Sequence, residues 1–223
     1  MTVSVLSSLA LKGVLEQFKA QFERSLGTAL DLRFDATQAI MAQRAAGWHA
    51  DLLVLTAEAM EELRASGEVR EVRALGSSGV GVAVRAGAPK PDIGSVDAFK
   101  CALESAKSVA HSKVGASGIY FVDLLKRLGL AGRVKTYVVE KGPVGLVVAK
   151  GEAELGVQQL CELAPVPGID IVGPLPAPLQ KITHFAAGIP ARAANPQGAL
   201  ALVAQLDEET VRAAMRQGGI EVL

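Results

Sequence analysis

The 223-residue sequence predicts an α/β protein with mostly parallel sheets. Half of its residues are apolar and only 4% are aromatic, a composition typical of compact α/β proteins rather than disordered chains. Short apolar runs alternate with amphipathic segments, which predicts strands alternating with helices. Three times near the N-terminus, a predicted strand is followed by a hydroxyl residue and then by a predicted helix. Because parallel strands end at the same edge of a sheet, we expect these hydroxyls to converge.

The first hydroxyl turn follows Thr2–Leu6, whose alternating β-branched pattern predicts a strand. Ser7 and Ser8 come next, and Ser8 suits the N-cap of an amphipathic helix that runs to about Arg24. A helix start has free N–H groups and the positive end of the helix dipole, and the two serines add donors. This turn is therefore a candidate anion site, although a turn and a cap alone would also account for both serines.

The second and third hydroxyl turns contain Thr37 and Thr56. Asp35 or Thr37 is expected to cap the second helix, and Thr56 ends a continuous apolar run typical of a buried parallel strand. Helix capping alone would account for Thr56. The two turns are flanked by predicted strands at Ala29–Phe34 and Ala50–Leu55 and by predicted helices at about Gln38–Ala46 and Ala57–Ser66.

A second unit is predicted to begin near the Pro-rich segment Ala86–Asp92, which follows a Gly-rich strand at Ser77–Arg85. No helix follows that strand directly, so its glycines are not expected to form a phosphate-binding loop. Ser95 is expected to cap the next helix. The remaining predicted strands are Ser108–His111, Thr136–Val139, Leu155–Gln158, Ile169–Val172 and Ile182–Ile189, and the remaining helices are Ser95–Ala106, Ile119–Leu128, Gly142–Lys150, Gln159–Leu163, Pro196–Leu206 and Glu208–Gln217.

Several residues of the second unit are candidate site residues with simpler structural alternatives. His111 ends a strand beside the loop Lys113–Gly118, and an imidazole titrates near neutral pH, so His111 is a candidate general acid or base. A hydrogen-bonded structural role is the commoner alternative for such a histidine. Gln158 ends an apolar strand, which an edge position would explain. Tyr120 could anchor the buried face of its helix, and Gly118 could simply permit a tight turn.

The formal net charge is zero, and no block of like charge occurs. The sequence therefore gives no electrostatic basis for binding nucleic acid or an anionic membrane surface. An anion would have to be held by local dipoles and hydroxyls. Lys12, Arg44 and Lys141 could neutralise a polycarboxylate, although a solvated surface position is the simpler expectation for each.

The two cysteines, Cys101 and Cys161, form no CxxC or metal-ligand pattern, so we expect buried free thiols, with a disulfide left open. His49, His111 and His184 are far apart in the sequence, so neither a metal nor a cofactor is expected. No stretch is apolar for long enough to insert into a bilayer, and no signal-peptide pattern opens the sequence. The chain as given is expected in the cytoplasm, or in the periplasm if a leader was removed.

A family resemblance is carried by segments in a specific order and spacing over nearly the whole chain. They are TVSVLSSLALKGVLEQF, LDLRFDATQAIMAQRAAGWHADLLVLTAEAMEELRASG, GVGVAVRAGAPKPDI, VGASGIYFVDLLKRLGL, KGEAELGVQQLCEL with PGIDIVGPLP, and NPQGALALVAQL with RQGGIEVL. Together they resemble the type II periplasmic solute-binding fold, in the family of the molybdate-binding proteins of ABC importers.

The resemblance implies a two-lobed periplasmic-binding-protein type II fold. Each lobe would be a mostly parallel sheet flanked by helices, and two crossing hinge strands would join the lobes. Lobe I would comprise residues 1–79 and 184–223, and lobe II residues 80–183. The ligand would lie in a cleft between them, with hinge closure over it. The partners implied are a small anionic ligand and, if the chain is exported, an ABC importer permease, and the protein is expected to be a monomer or a homodimer.

The resemblance also implies which residues hold the anion, through Ser/Thr hydroxyls and backbone N–H groups at helix starts. The matching positions are Ser7 or Ser8 after the first strand, Thr37 after the second, and the N–H groups of the turn formed by Ser117, Gly118, Ile119 and Tyr120.

Two features favour an organic acid over a tetrahedral oxyanion. Gln158 and Gln159 stand in the region where molybdate binders typically present a tyrosine. An amide offers both a donor and an acceptor, which suits a carboxylate or a hydroxyl better than a fully deprotonated oxyanion. In addition, the segments RAGAPKPDI, GASG and ELGVQQL resemble a branch of the family that includes aconitate isomerase.

The sequence therefore supports two main hypotheses. The first is a small-anion binding protein, for an oxyanion or a carboxylate, of the ABC-transporter type. The alternative is an isomerase that acts on an unsaturated tricarboxylate by proton abstraction and return, with helix N-termini stabilising the developing negative charge. A cytoplasmic ligand sensor is a third option, but no helix-turn-helix segment supports it.

Overall fold

The computed structural model describes residues 2–47 and 50–223. Met1, Trp48 and His49 lie outside the described residues. The expectation that His49 binds no metal therefore concerns a residue outside the described part of the chain. The chain forms two compact units. Unit 1 comprises Met1–Ser77 and Thr183–Leu223, and unit 2 comprises Ser78–Ile182.

Strands and helices alternate along most of the chain, which confirms the predicted α/β class. The strands are β1 (Thr2–Ser7), β2 (Ala29–Phe34), β3 (Leu52–Thr56), β4 (Val69–Arg85), β5 (Val109–Ser112), β6 (Thr136–Val139), β7 (Leu155–Gln159), β8 (Ile169–Pro174), β9 (Ile182–Pro190) and β10 (Glu221–Val222). The helices are α1 (Lys12–Leu26), α2 (Thr37–Ala42), α3 (Ala57–Ala65), α4 (Val96–Ser105), α5 (Ala116–Arg127), α6 (Val144–Ala149), α7 (Leu160–Leu163), α8 (Pro196–Leu206) and α9 (Glu209–Gln217).

The sheet of unit 1 has the strand order β2-β1-β3-β9. β1 runs parallel to β2 and β3, and β9 runs antiparallel to β3. Ser7 lies opposite Phe34 of β2 and Val54 of β3, so β1, β2 and β3 end at the same edge of the sheet. The predicted convergence of the three strand ends is therefore confirmed. Met60 of α3 and Ile40 of α2 are fully buried in the apolar layer beside this sheet.

The sheet of unit 2 has the strand order β4-β7-β5-β6, and β8 also pairs with β4. β5 is parallel to β6 and β7, so these strands end at one edge, where α5 and α7 begin. Phe121 of α5 packs in one apolar cluster with Val157 of β7. Val144 and Val148 of α6 pack in another cluster with Ala110 of β5.

Strand β4 begins at Val69, whereas the sequence predicted a strand only from Ser77. Five consecutive residues of this stretch, 70–74, are exposed and three of them are charged, so the stretch lacks the alternating apolar pattern that indicates a strand. Glu71 interrupts the extended backbone with a left-handed φ of 51°. Pairing between Gly76 and Val222 of the unpredicted strand β10 supports this part of the sheet instead.

The starts of α1 and α5 differ most from the predicted ones, and the other helices begin at or within two residues of their predicted starts. A 3-10 turn at Leu9–Leu11 precedes α1, and the Ser8 side chain makes no capping hydrogen bond. α5 begins at Ala116, so Ser117 and Gly118 lie in its first turn rather than in a loop. The prediction failed there because Ser and Gly usually indicate a loop, while Gly115 at the N-cap position already starts the helix.

Only one of the predicted helix caps is confirmed. Ser95 caps α4 by accepting a 3.1 Å hydrogen bond from the Ala98 N–H, as predicted. Neither Asp35 nor Thr37 caps α2, whose N-cap residue is Ala36, and Thr56 occupies the N-cap position of α3 without a side-chain hydrogen bond.

Both cysteines are free thiols, so the disulfide alternative is wrong. Cys161 is buried, as predicted, but Cys101 is exposed. Phe99 and Leu103, four residues apart, define the buried face of α4, and Cys101 lies between them on the other side of the helix. Among the residues that the structure describes, none of the helices is both long and apolar enough for a membrane span.

Candidate functional site

In unit 1, the end of β1 buries two serines whose polar groups are differently engaged. The Ser7 hydroxyl donates a 2.8 Å hydrogen bond to the Ser8 carbonyl oxygen, and the Ser7 carbonyl accepts one from the Asp35 N–H at 3.1 Å. The Ser8 N–H donates to the Val54 carbonyl oxygen at 2.7 Å, which joins the turn to β3. The Ser8 hydroxyl is buried and has no hydrogen-bond partner among the described residues. A hydroxyl donor is therefore held at the start of the helical segment, and no acceptor in residues 2–47 or 50–223 binds it.

Thr37 and Thr56, from the other two hydroxyl turns of unit 1, contact each other. The Thr37 hydroxyl oxygen accepts a 3.3 Å hydrogen bond from the Thr56 N–H. Both residues are partly exposed at the sheet edge where Ser7 and Ser8 are buried. Because its oxygen already accepts a hydrogen bond, Thr37 can direct its hydroxyl hydrogen outward as a donor.

The cationic candidates have other contacts. Lys12 lies 5.9 Å above the Phe34 ring and 3.8 Å from a Glu16 carboxylate oxygen. Arg44 is hydrogen-bonded to Glu68, at 2.9 Å through Nε, and this hydrogen bond raises the pKa of Arg44. Lys141 also has a partner. The hydroxyl turns thus offer neutral donors rather than free positive charge.

In unit 2, α5 begins directly after the end of β5. The Ser112 hydroxyl accepts a 2.9 Å hydrogen bond from the Gly115 N–H, which shapes the turn. The N–H groups of Gly118 and Ile119 donate to the Gly115 carbonyl oxygen at 3.0 and 3.1 Å. The expectation that the Gly118 and Ile119 amides are available to an anion is therefore wrong.

The amides that a helix leaves free are the earliest ones, here those of Ala116 and Ser117. Ser117 is only 1% exposed, and its hydroxyl has no hydrogen-bond partner in the part of the chain that the structure describes. The start of α5 therefore repeats the arrangement at Ser8, with a buried, unpartnered hydroxyl beside helical N–H groups.

Tyr120 and Gly118 have structural roles in α5. The Tyr120 hydroxyl donates a 2.7 Å hydrogen bond to the Leu179 carbonyl, and the Arg127 guanidinium lies 5.2 Å from the ring centroid. Gly118 has no room for a side chain, because a Cβ there would overlap the Ser112 carbonyl oxygen. Ile119 is exposed.

His111 is buried in unit 2 as part of the core. Its Nδ1 lies 3.1 Å from the Ser112 carbonyl oxygen, and its ring centroid lies 5.7 Å from that of Phe121. It pairs with Val157 across β5 and β7. These contacts match the hydrogen-bonded structural alternative better than a proton-transfer role.

Gln158 lies in the middle of the sheet, so an edge position does not explain this polar residue. Its Oε1 accepts a 2.8 Å hydrogen bond from the Val144 N–H at the start of α6. Its Nε2 donates to the Glu162 carboxylate. The amide oxygen is thus occupied, and one N–H of Nε2 remains for another acceptor.

Sequence reasoning missed Glu162. Burial raises the pKa of this carboxyl to about 7, while the hydrogen bond from Gln158 opposes that rise. The available signal was the spacing of Gln158 and Glu162, four positions apart in a run whose only other polar side chain is Gln159, apart from the Cys161 thiol.

We expect Glu162→Gln to stabilise the folded protein above neutral pH by about 3 kcal/mol. A carboxyl whose pKa is raised on folding binds more protons in the folded state, so stability is lost as pH rises from about 4.5 to 7. Glutamine removes this loss. Urea unfolding of both proteins at pH 5 and pH 8.5 measures it, and a stability difference that does not grow with pH would contradict it.

Comparison with known proteins places the chain in a family. Residues 3–221 match the model of the family described as bacterial extracellular solute-binding protein. An aconitate isomerase from Pseudomonas sp. is 39% identical over 99% of this chain and 87% of its own length.

Solved structures share the fold. The periplasmic molybdate-binding protein of Azotobacter vinelandii has a TM-score of 0.77 at 20% identity, with 98% of each chain covered. The sulfate-binding protein SubI of Mycobacterium tuberculosis has a TM-score of 0.72 at 16% identity, covering 99% of this chain and 86% of its own. These matches confirm the predicted periplasmic-binding type II fold. The family match over nearly the whole length, together with the curated relative, shows that this chain belongs to the bacterial extracellular solute-binding protein family.

Proposed function

We propose that this protein binds a small carboxylate anion through uncharged donors at helix starts. The observation that carries the proposal is that, among the described residues, the buried hydroxyls of Ser8 and Ser117 lack a hydrogen-bond partner and lie at helix starts, whereas the third such hydroxyl, that of Thr28, follows the end of α1. A buried hydroxyl without a partner costs about 1–3 kcal/mol, so an acceptor brought by a ligand explains why both are kept. Thr37 and the Ala116 and Ser117 amides are the supporting donors that we assign to the same role.

A carboxylate fits these donors better than a ligand that demands positive charge. The nearby cationic candidates Lys12 and Arg44 already contact Glu16 and Glu68 in the described part of the chain. The formal net charge of the chain is zero. Hydroxyls and helical N–H groups bind anions through hydrogen bonds and local dipoles alone. The relative named aconitate isomerase points to a tricarboxylic acid as the first ligand to test.

We further propose that the protein works outside the cytoplasm and delivers its ligand to an ABC importer permease. Membership of an extracellular solute-binding family supports this location over the cytoplasmic one. In unit 1 the candidate ligand contacts are Ser7, Ser8, Thr37 and Thr56, and in unit 2 they are Ser117 and Gln158.

Isomerisation of an unsaturated tricarboxylate is the second candidate function, favoured by the relative at 39% identity. The reaction would move one proton: a C–H bond of the methylene group breaks, the double bond shifts, and a proton returns to the former vinylic carbon. Proton NMR of cis-aconitate with the pure protein in heavy water tests this. Conversion of cis-aconitate or incorporation of deuterium supports isomerisation. If cis-aconitate binds but is neither converted nor exchanged, the protein binds the ligand without isomerising it.

The binding proposal is tested by Ser8→Ala and Ser117→Ala. Each is expected to weaken cis-aconitate binding at least about tenfold, because one hydrogen bond to a charged group is lost. Neither should destabilise the protein, since each removes a hydroxyl that lacks a partner. Isothermal titration and urea unfolding measure the two effects, with exposed Ser105→Ala as the control. Unchanged affinity in both variants would contradict the assignment.

A further inference from the structure

Glu162 carries a largely buried carboxyl group in unit 2. It lies on α7, immediately after β7, and β7 is parallel to β5. The carboxyl ends of parallel strands share one edge, so Glu162 lies at the sheet edge where α5 begins with Ser117. An acid and the proposed anion-binding hydroxyl of unit 2 therefore share this edge.

The orientation of the Gln158 amide determines how Glu162 is bound. Because the Val144 N–H donates to Gln158 Oε1, the NH₂ group must point the other way, and it donates to Glu162 Oε2. Gln158 itself is 1% exposed, so this arrangement is fixed within the core. As a whole residue Glu162 is only partly exposed, so it lies at the border between the core and the surface of unit 2.

Among the described residues, no cation shifts the pKa of the Glu162 carboxyl. α6 and β7, which pack with α7, contain no ionisable residue within their bounds. On α7 itself the only other titratable group is the Cys161 thiol, whose pKa is raised by burial and by Glu162. Only the Gln158 amide favours the charged form of Glu162, so burial dominates and both protonation states are accessible near neutral pH.

We propose that Glu162 is a specificity-determining residue. Its carboxyl group is protonated when a carboxylate ligand is bound, and the O–H group donates a hydrogen bond to that ligand. The inference rests on the anion binding proposed above. An ionised Glu162 would repel the ligand, whereas a protonated one supplies a donor beside the free N–H of Gln158. Binding above neutral pH should therefore take up a proton, and affinity should fall as pH rises.

The test is isothermal titration of the full chain with cis-aconitate at pH 8 in two buffers of different ionisation enthalpy. The wild type is expected to take up close to one proton per ligand, because Glu162 is mostly ionised at that pH before binding. Its affinity should fall by about tenfold per pH unit above pH 7. Glu162→Gln should bind without proton uptake and with little pH dependence, while Asp123→Asn, a change at an exposed carboxylate of α5, should behave like the wild type.

The outcomes separate the two proposals. Binding without proton uptake in the wild type, or uptake that persists in Glu162→Gln, overturns the role of Glu162 and leaves anion binding in place. Complete absence of binding overturns the proposed function, and this inference with it. Carbon NMR of the Glu162 carboxyl in the wild type gives a second readout: its titration midpoint should rise on addition of cis-aconitate, and an unchanged midpoint contradicts the inference.

Discussion

Replacing Gly118 with alanine is expected to destabilise the protein by about 3 kcal/mol or more. A Cβ at this position would overlap the Ser112 carbonyl oxygen and lie 2.7 Å from the carbonyl carbon and 3.1 Å from Cα. These are backbone atoms of the turn between β5 and α5, so no side-chain rotation can relieve the overlap. Urea unfolding followed by circular dichroism measures the loss.

The matched control is Gly94→Ala, where a new Cβ would meet only a carboxylate oxygen of Asp92 at 3.3 Å. This control should change stability by less than about 1 kcal/mol. Because α5 must shift in Gly118→Ala, the Ser117 donors should move as well, and cis-aconitate binding should weaken in parallel. A Gly118→Ala protein with wild-type stability would show that the start of α5 does not pack against Ser112 as described.

Asp51→Asn is expected to cost about 3 kcal/mol in unit 1. The buried Asp51 carboxylate accepts hydrogen bonds from the Ser4 N–H at 2.9 Å, the Ser4 hydroxyl at 2.7 Å and the Asn195 N–H at 2.7 Å. Asn195 in turn caps α8 by accepting from the Gly198 N–H at 3.0 Å. Asparagine directs an NH₂ group at one or more of these donors, so the connection between β1 and α8 is lost.

The effect of Asp51→Asn should depend on pH in a defined direction. Burial alone would raise the pKa of Asp51, but the hydrogen bonds from Ser4 and Asn195 outweigh it and lower the pKa. A lowered pKa contributes stability that is present above the ordinary carboxyl range and is lost as pH falls through the folded-state value. The difference between wild type and variant should therefore be largest at neutral pH and shrink in acid.

The control for Asp51 is Asp31→Asn, which changes an exposed carboxylate paired with Arg33 at 2.7 Å. Surface ion pairs contribute about 0–1 kcal/mol, so this variant should unfold close to the wild type. A cost for Asp51→Asn that is equally small, or one that grows in acid, would contradict the role assigned to the buried carboxylate.

The order of strands and helices was largely predictable because local patterns determine it. The alternating segment at β1 and the continuous apolar run at β3 follow from burial on one or both faces of a sheet. The strand-end hydroxyls could be found for the same reason, since parallel strands end together. The family resemblance added the fold type, which periodicity alone does not distinguish from other α/β folds.

The details of the site depended on contacts that the sequence does not display. The Gly115 carbonyl occupies the amides of Gly118 and Ile119, which moves the available donors back to Ala116 and Ser117. Whether a serine caps a helix or keeps a free hydroxyl depends on the turn before it, as at Ser8. The significance of Glu162 arises from burial beside Gln158, and burial of a carboxylate is the opposite of what its charge predicts.

The central claim is that buried, uncharged donors at two helix starts bind a small carboxylate. The most direct measurement is isothermal titration of the wild-type protein with citrate, cis-aconitate, sulfate and molybdate under identical conditions. We predict saturable binding of the tricarboxylates, tighter than that of sulfate or molybdate. Binding of molybdate or sulfate in preference to both organic acids, or binding of none of the four, would contradict the claim.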